Sequence, residues 1–335
     1  MELTTVWFVL IAGLWIGYFV LEGFDFGVGM LLRVLGRDEP ERRAVVTTIG
    51  PVWDGNEVWL IVAGAMTFAA FPEWYATLFS GFYLPLFAIL VSLILRGVAL
   101  EYRGKRDDLV WRSRMDWLIT VGSVVPALLW GITFANLVRG APLDASHEFV
   151  GSLGDLLNPF ALLGGVTFVA VFVAHGAIFL ALRTTDDLRQ RANRLASGTG
   201  LVAVVLAAAF LAWAQSLRGD ATSAVVAAAA AVALVVGLVA NRLRREGLAF
   251  AGTALAIGLA VASLFVAMFP AVMPSTLDPA GTLTTVNAAS TPYTLKVLTI
   301  IAAIFTPLVL LYQGWTYWVF RKRVTVEPVA VEAEP

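Results

Sequence analysis

Residues 6–32 have the sequence VWFVLIAGLWIGYFVLEGFDFGVGMLL, an apolar run whose only charged residues are Glu22 and Asp25. About 20 apolar residues are enough for a helix to cross the hydrocarbon core of a bilayer. The run is longer than the apolar part of a cleavable signal peptide, and no basic segment precedes it. We therefore expect residues 6–32 to form a retained transmembrane helix.

The composition extends this prediction to the whole chain of 335 residues, of which 59% are hydrophobic and 14% are charged. Soluble domains carry about 25% charged residues. The net charge of −1 argues against nucleic acid as a partner. The absence of Cys excludes iron–sulfur clusters and a thiolate ligand for haem. The sequence thus predicts an all-α integral membrane protein.

Apolar runs long enough to span a bilayer recur along the chain and predict nine transmembrane helices. They lie near residues 6–32, 50–71, 76–101, 117–138, 159–182, 198–217, 221–240, 248–269 and 295–320. The tightest turn separates the sixth and seventh helices at Leu217-Arg218-Gly219-Asp220. The chain then divides into helices 1–4 (1–138), an outer loop (139–158), helices 5–8 (159–269), a second outer loop (270–294), a ninth helix (295–320) and a disordered cytoplasmic tail (321–335).

The basic residues predict the direction in which these helices cross the membrane. All but four of the 23 Lys and Arg residues fall in the loops after helices 1, 3, 5 and 7 or at the C-terminus. The four exceptions are Arg96, Arg139, Arg218 and Lys296. Because basic residues concentrate on the cytoplasmic side, we expect the N-terminus outside and the C-terminus in the cytoplasm.

Two pairs of carboxylates, Glu22 with Asp25 and Asp54 with Glu57, lie within or beside the first two apolar runs. A charged side chain inside a bilayer costs about 2.5–3.5 kcal/mol or more, and such residues commonly belong to ion or proton pathways. Residues three apart share one face of a helix. Each pair therefore presents both carboxylates in one direction, which favours a proton route.

The predicted topology places all four carboxylates near the cytoplasmic ends of helices 1 and 2. Helix 3 brings Arg96 and Glu101 to the same end, so we expect a polar cluster that opens to the cytoplasm. A structural interpretation stays open beside this one. Asp54 and Glu57 would cap and charge the first turn of helix 2, and Arg96 would extend its guanidinium to the membrane interface.

The chain has two histidines, which are the candidate haem ligands. His147 lies in the first outer loop, whereas His175 lies toward the cytoplasmic end of helix 5. The two are too far apart along the membrane normal to ligate one haem together. We interpret His175 as a packed or hydrogen-bonded residue rather than a haem ligand.

Two segments, EGFDFGVGM at 22–30 and PVWDGNEVWL at 51–60, resemble signature segments of subunit II of cytochrome bd quinol oxidases. The resemblance continues in order along the chain. It includes FSGFY (79–83), Arg96, Glu101-Tyr102-Arg103, LNPF (157–160), MFPAVMPS (268–275) and LLYQGW (310–315). It implies a multi-pass protein of the bacterial cytoplasmic membrane, built from two four-helix bundles and one additional peripheral helix.

The resemblance also implies a partner and a reaction. Subunit II of this family pairs with a related subunit I that carries haems b and d and the quinol site. The complex oxidises quinol and reduces dioxygen to water. Subunit II itself binds no haem and can hold a structural quinone. Membrane lipid and a small single-helix subunit are further candidate partners.

The resemblance assigns Asp25 and Asp54 to a proton path, with Trp53 and Arg96 close by. Glu22 stands where some members have Asp, and Glu57 stands where some have Gln. The full set of proton-path candidates is Asp25, Asp54, Glu22, Glu57, Trp53, Arg96 and Glu101.

Two other functions fit the residues without the resemblance, namely a proton-coupled secondary transporter and a purely structural membrane anchor. An inverted repeat and helices broken near the bilayer midplane are typical of many transporters. Neither feature is evident in the sequence.

Overall fold

The computed structural model describes residues 2–326, and helices make up 81% of them. Within these residues the helices are α1 (Leu3–Leu35), α2 (Glu39–Ile49), α3 (Trp53–Ala70), α4 (Pro72–Gly81), α5 (Tyr83–Tyr102), α6 (Leu109–Arg139), α7 (Leu153–Leu156), α8 (Pro159–Arg183), α9 (Asp186–Arg218), α10 (Ala221–Arg242), α11 (Glu246–Met268) and α12 (Pro292–Val319). Two short strands, β1 (Ala271–Met273) and β2 (Leu283–Thr284), pair antiparallel. Part of the predicted tail, residues 327–335, lies outside the described residues.

Eight helices in residues 2–326 are long and apolar enough to cross a membrane: α1, α5 extended to Lys105, α6, α8, α9, α10, α11 and α12. This confirms the prediction of an all-α integral membrane protein. The predicted count of nine spans is not confirmed. The predicted second span corresponds to α3, whose 18 residues begin with a polar turn containing Asp54, Asn56 and Glu57. That turn lowers the mean hydropathy of α3.

Several predicted boundaries differ from the structure for local reasons. The predicted helix at 76–101 is divided into α4 and α5 at Phe82. Pro85 stands in the first turn of α5, where its missing N–H is not needed. The predicted loop after the first helix contains α2, because Asp38 caps that helix by accepting from the Glu41 N–H at 2.9 Å.

The turn between the sixth and seventh predicted helices is confirmed. The helix α9 ends at Arg218 and α10 begins at Ala221. Asp220 caps α10 by accepting from the Ser223 N–H at 2.7 Å, and the Ser223 hydroxyl accepts from the Asp220 N–H in return. This reciprocal capping box satisfies backbone donors at the start of α10.

The helix α1 lies at the centre of the packing and contacts α3, α6, α8 and α11. Its closest approach is to α8, at Gly27 and Gly176. A Cβ added to Gly27 would lie 2.0 Å from the Phe172 carbonyl oxygen and 2.8 Å from the Gly176 Cα. Only glycines allow two helix backbones to come this close. The helix α12 is peripheral: it contacts α3 and α1, and Leu295 is its one buried residue.

The two predicted outer loops meet at one end of the helices. The Ala141 N–H donates to the Pro274 carbonyl at 2.9 Å, and the Thr276 N–H donates to the Ala141 carbonyl at 2.9 Å. His147 Nδ1 lies 3.0 Å from the Gly281 carbonyl oxygen. Both loops therefore lie on the same side of the helices, as the topology requires.

The basic segments meet at the opposite end and are joined by ion pairs. Arg103 lies between Asp116 of α6, at 2.5 Å, and Glu39 of α2, at 2.9 Å. Arg191 of α9 pairs with Glu41 of α2. These contacts fix α2 against the ends of the long helices and give this end of the molecule its dense network of charges.

Candidate functional site

Arg96 of α5 is fully buried and forms ion pairs with carboxylates from two other helices. Its Nη1 lies 2.9 Å from Glu57 Oε1 on α3, and its Nη2 lies 3.2 Å from Asp25 Oδ1 on α1. Glu22, one turn before Asp25, lies 3.7 Å from Nη1 through Oε2. One buried cation therefore faces three carboxylates, which we call the Arg96 cluster (Glu22, Asp25, Glu57 and Arg96).

Apolar and small residues allow the guanidinium to be buried at this place. Gly122 of α6 gives room for α5, because a Cβ there would lie 2.8 Å from the Arg96 Cβ. The guanidinium carbon lies 5.2 Å from the Phe26 ring centroid, and Nε donates to the Ser123 hydroxyl at 3.3 Å. Trp53 is half-buried and its ring would lie 3.3 Å from a Cβ added to Gly97.

Asn56 connects the Arg96 cluster to the peripheral helix α12. Its Nδ2 donates to Asp25 Oδ2 at 2.5 Å. Its Oδ1 accepts from the Tyr317 hydroxyl at 2.7 Å and from Gln313 Nε2 at 3.3 Å. Asn56, Gln313 and Tyr317 are not among the predicted site residues. Their side chains are an amide or a phenol, which carry no charge, so they do not stand out in an apolar helix as carboxylates do. Asn56 and Gln313 nevertheless lie in two of the segments that carry the family resemblance, 51–60 and 310–315.

The three carboxylates of the cluster differ in exposure. Glu22 and Asp25 are fully buried, whereas the Glu57 side chain is 22% exposed. Neither carboxylate oxygen of Glu22 has a hydrogen-bond partner within residues 2–326. The cluster thus extends from a partly open end at Glu57 to a closed end at Glu22.

Two of the predicted ionisable site residues lie outside the cluster. Asp54 is exposed in the first turn of α3, where its Oδ1 accepts from the Gly55 N–H at 2.7 Å. Glu101 is exposed at the end of α5 and lines a polar cavity of about 470 Å³ together with Arg43 and Arg103. Of the six ionisable groups expected to meet, the structure brings together Glu22, Asp25, Glu57 and Arg96.

His175 lies inside the helical core with both ring nitrogens engaged. Its Nδ1 lies 2.7 Å from the Thr253 hydroxyl and its Nε2 lies 3.3 Å from the Val20 carbonyl oxygen. The imidazole stacks on Phe250 with 4.7 Å between ring centroids. Within residues 2–326, no group of three or more His, Asp or Glu side chains is arranged to hold a metal ion.

An apolar groove of about 520 Å³ opens between α3 and α5. Its floor contains Trp15 of α1 and Trp130 of α6, and its rim contains Phe68, Tyr75 and Tyr83. Aromatic and aliphatic walls of this kind suit a flat apolar ring or a hydrocarbon chain.

Residues 3–320 match the family model described as cytochrome bd terminal oxidase subunit II. The chain belongs to this family. The predicted resemblance is therefore confirmed, and with the eight apolar helices it supports a multi-pass protein of the bacterial cytoplasmic membrane.

Relatives of the family align along nearly the whole chain. Cytochrome bd ubiquinol oxidase subunit 2 of Bacillus subtilis (strain 168) is 43% identical over 97% of this chain and 97% of its own length. Cytochrome bd-I ubiquinol oxidase subunit 2 of Escherichia coli (strain K12) is 35% identical over 97% and 96%, respectively. A chain in the structure of bd oxidase from Geobacillus thermodenitrificans has the same fold, with a TM-score of 0.78 at 17% identity. It covers 96% of this chain and 100% of that one.

Replacing Arg96 should destabilise the fold strongly, because the fully buried Glu22 and Asp25 and the partly exposed Glu57 would lose their cation. We expect Arg96→Gln to lower the free energy of unfolding by about 3–5 kcal/mol, measured by denaturant titration of the purified protein in detergent. Adding Asp25→Asn to that variant should recover part of the loss. Arg37→Gln is the control, since Arg37 forms an exposed pair with Asp187 at 3.7 Å and should change stability by less than about 1 kcal/mol. Equal effects of the two arginine changes would contradict this account.

Proposed function

We propose that this chain is the haem-free second subunit of an oxidase that transfers electrons from quinol to dioxygen and forms water. The names of its relatives support a terminal quinol oxidase. In this proposal the chain supports a partner subunit I, which carries haems b and d and the quinol site. A small single-helix subunit and membrane lipid are further proposed partners. We assign the haems to subunit I because both nitrogens of His175 are engaged by protein groups.

We propose that this subunit supplies protons to the complex, and the Arg96 cluster is the observation that supports this role. One guanidinium balances one of three carboxylates, so the fully ionised cluster holds excess negative charge in a buried site. Uncompensated buried charge is costly, and binding a proton relieves that cost. Groups with this property pass protons through membrane proteins.

The exposure gradient supports a direction for proton movement. Asp54 is exposed beside the partly open Glu57, and Asp25 and Glu22 follow in the buried part. We propose that Asp54 receives protons from the cytoplasm, that Glu57 and Asp25 transfer them, and that Glu22 is the innermost carboxylate.

The remaining candidates have supporting roles in this proposal. Arg96 and Asn56 orient Asp25 through contacts at 3.2 and 2.5 Å. The Trp53 ring packs against α5 at Gly97. The exposed Glu101 would collect protons at the cytoplasmic surface.

The proposed topology has nine spans, with α3 as the span that begins at the polar turn. The helices up to α6 (1–138) would form the first four-helix bundle, α8 to α11 (159–269) the second, and α12 the peripheral ninth span. We place the N-terminus outside and the C-terminus in the cytoplasm, because the ion-paired basic end of the molecule would then face the cytoplasm.

The groove between α3 and α5 is the proposed place for a structural quinone. Its aromatic floor and rim would hold the ring and the first isoprenoid units by burial of apolar surface. When bound, a quinone supplies a redox-active ring. The residues of this chain would only position it and exclude water.

Co-purification tests the oxidase assignment. We expect the chain, isolated from native membranes, to retain a haem-bearing partner and to give a reduced-minus-oxidised spectrum typical of b- and d-type haems. His175→Ala should leave every haem band of the complex in place, because the Nε2 and Nδ1 atoms bind protein groups. A preparation without a haem-bearing partner would overturn the assignment and favour a transporter.

Proton uptake tests the proposed path. We expect Asp25→Asn and Asp54→Asn to slow oxygen reduction by the assembled complex in vesicles by about tenfold or more, or to lower the protons taken up per dioxygen. Asp38→Asn is the matched control, since Asp38 lies at the same end and caps α2, and Asn is an equally good cap. Unchanged turnover and stoichiometry in both path variants would favour a purely structural anchor.

A further inference from the structure

A cavity of about 230 Å³ lies outside the Arg96 cluster, at a place where the ends of several helices meet. The turn between α2 and α3, the end of α8, the start of α11 and the end of α12 surround it. Its walls are aromatic, with Phe179, Phe250 and Tyr317 among them, and two arginines line it, Arg183 and Arg321. No carboxylate is among its described lining residues.

Arg183, the last residue of α8, is half-buried and forms no ion pair with a carboxylate within residues 2–326. Arg96, Arg103 and Arg191 each pair with carboxylates. The Nε of Arg183 is buried and has no hydrogen-bond partner within residues 2–326. Its guanidinium carbon lies 5.9 Å from the Phe179 ring centroid. An unsatisfied buried donor on a charged group is costly, which indicates that an anionic ligand belongs beside it.

Arg321 provides a second guanidinium to the same cavity. It is exposed, with its guanidinium carbon 4.4 Å from the Trp318 ring centroid and its Nη1 donating to the Trp318 carbonyl at 2.5 Å. These contacts orient the side chain and leave donors free. Two planar guanidinium groups match the geometry of phosphate oxygens better than a point charge does.

The position of the cavity indicates where the phosphate comes from. Arg183 is the last residue of α8 and Arg321 follows the end of α12, and both helices are long and apolar enough to cross a membrane. We therefore expect both arginines near the phospholipid headgroups. The helix α12 is apolar and exposed along most of its length, including Leu310, which lies on the same face as Tyr317 and is 52% exposed. Basic residues at the cytoplasmic surface attract anionic lipids, and Trp318 is of the type enriched at membrane interfaces.

We propose that this cavity binds the phosphate group of an anionic phospholipid, held by Arg183 and Arg321, with the acyl chains along α12. The site does not depend on the proton path for its binding. It adjoins the path, however, because Tyr317 lines the cavity and donates to Asn56, which donates to Asp25. A bound headgroup would therefore restrain the hydroxyl that holds Asn56.

Lipid titration of the delipidated, assembled complex tests this site. The titrants are phosphatidylglycerol, phosphatidylcholine of the same chain length and inorganic phosphate, and native mass spectrometry counts the bound molecules. We expect tight binding of phosphatidylglycerol that weakens about tenfold in Arg183→Gln and in Arg321→Gln, because each change removes charge-assisted hydrogen bonds. Arg242→Gln, at an exposed arginine in the last turn of α10, should bind like the unaltered complex.

Three results would overturn the proposal. Phosphatidylglycerol affinity that is the same in both variants as in the unaltered complex would remove the arginines from the site. Equal affinity for phosphatidylcholine would remove the charge preference. Inorganic phosphate binding as tightly as phosphatidylglycerol would assign the cavity to a free anion. Because Arg321 is exposed, its variant should fold even if Arg183→Gln does not.

Discussion

The structure depends on the burial of one cation. Arg96 carries its guanidinium into the space between α1, α3, α5 and α6, where no solvent reaches it. Such a charge is tolerated only when partners surround it. Glu57 at 2.9 Å and Asp25 at 3.2 Å supply them, and each comes from a different helix. The ion pairs therefore fix the helices α1, α3 and α5 relative to one another.

The same arrangement has more carboxylates than one cation can balance. Glu22 shares Arg96 at 3.7 Å and has no hydrogen-bond partner within the described residues. The surplus is costly for stability alone, and an apolar residue at position 22 would pack at lower cost. In the function that we propose, proton exchange accounts for this surplus. Asn56 donates a hydrogen bond to Asp25 and accepts one from Tyr317 of α12. It therefore connects α12, which has little buried surface, to the core.

The sequence predicted the long helices and most of the cluster, because apolar runs and charged residues within them are strong signals. It placed Glu22, Asp25, Glu57 and Arg96 at one depth, and the structure brings them together. The resemblance favoured Asp54 over Glu57 as a proton carrier, whereas the structure places Glu57 against Arg96 and leaves Asp54 outside the cluster. Both share a face of α3, and the helix start at Trp53 leaves Asp54 in the exposed first turn.

Other features had no strong sequence signal. The break at Phe82 arises from Pro85 in a run that is apolar on both sides. The helix α2 is short and polar, so its composition resembles that of a loop. The cap by Asp38 is evident only in the structure, where its Oδ1 accepts from the Glu41 N–H at 2.9 Å. Arg183, whose Nε has no hydrogen-bond partner in the part of the chain that the structure describes, is indistinguishable in sequence from any arginine at the end of a transmembrane helix.

The central claim is that the Arg96 cluster gains and loses protons during turnover. Infrared difference spectroscopy of the assembled complex, reduced minus oxidised, measures this directly through the C=O stretch of protonated carboxyl groups. The account predicts a carboxyl band that changes with redox state and is lost or altered in Asp25→Asn and Glu22→Gln. A difference spectrum that is the same in both variants as in the unaltered complex would contradict it.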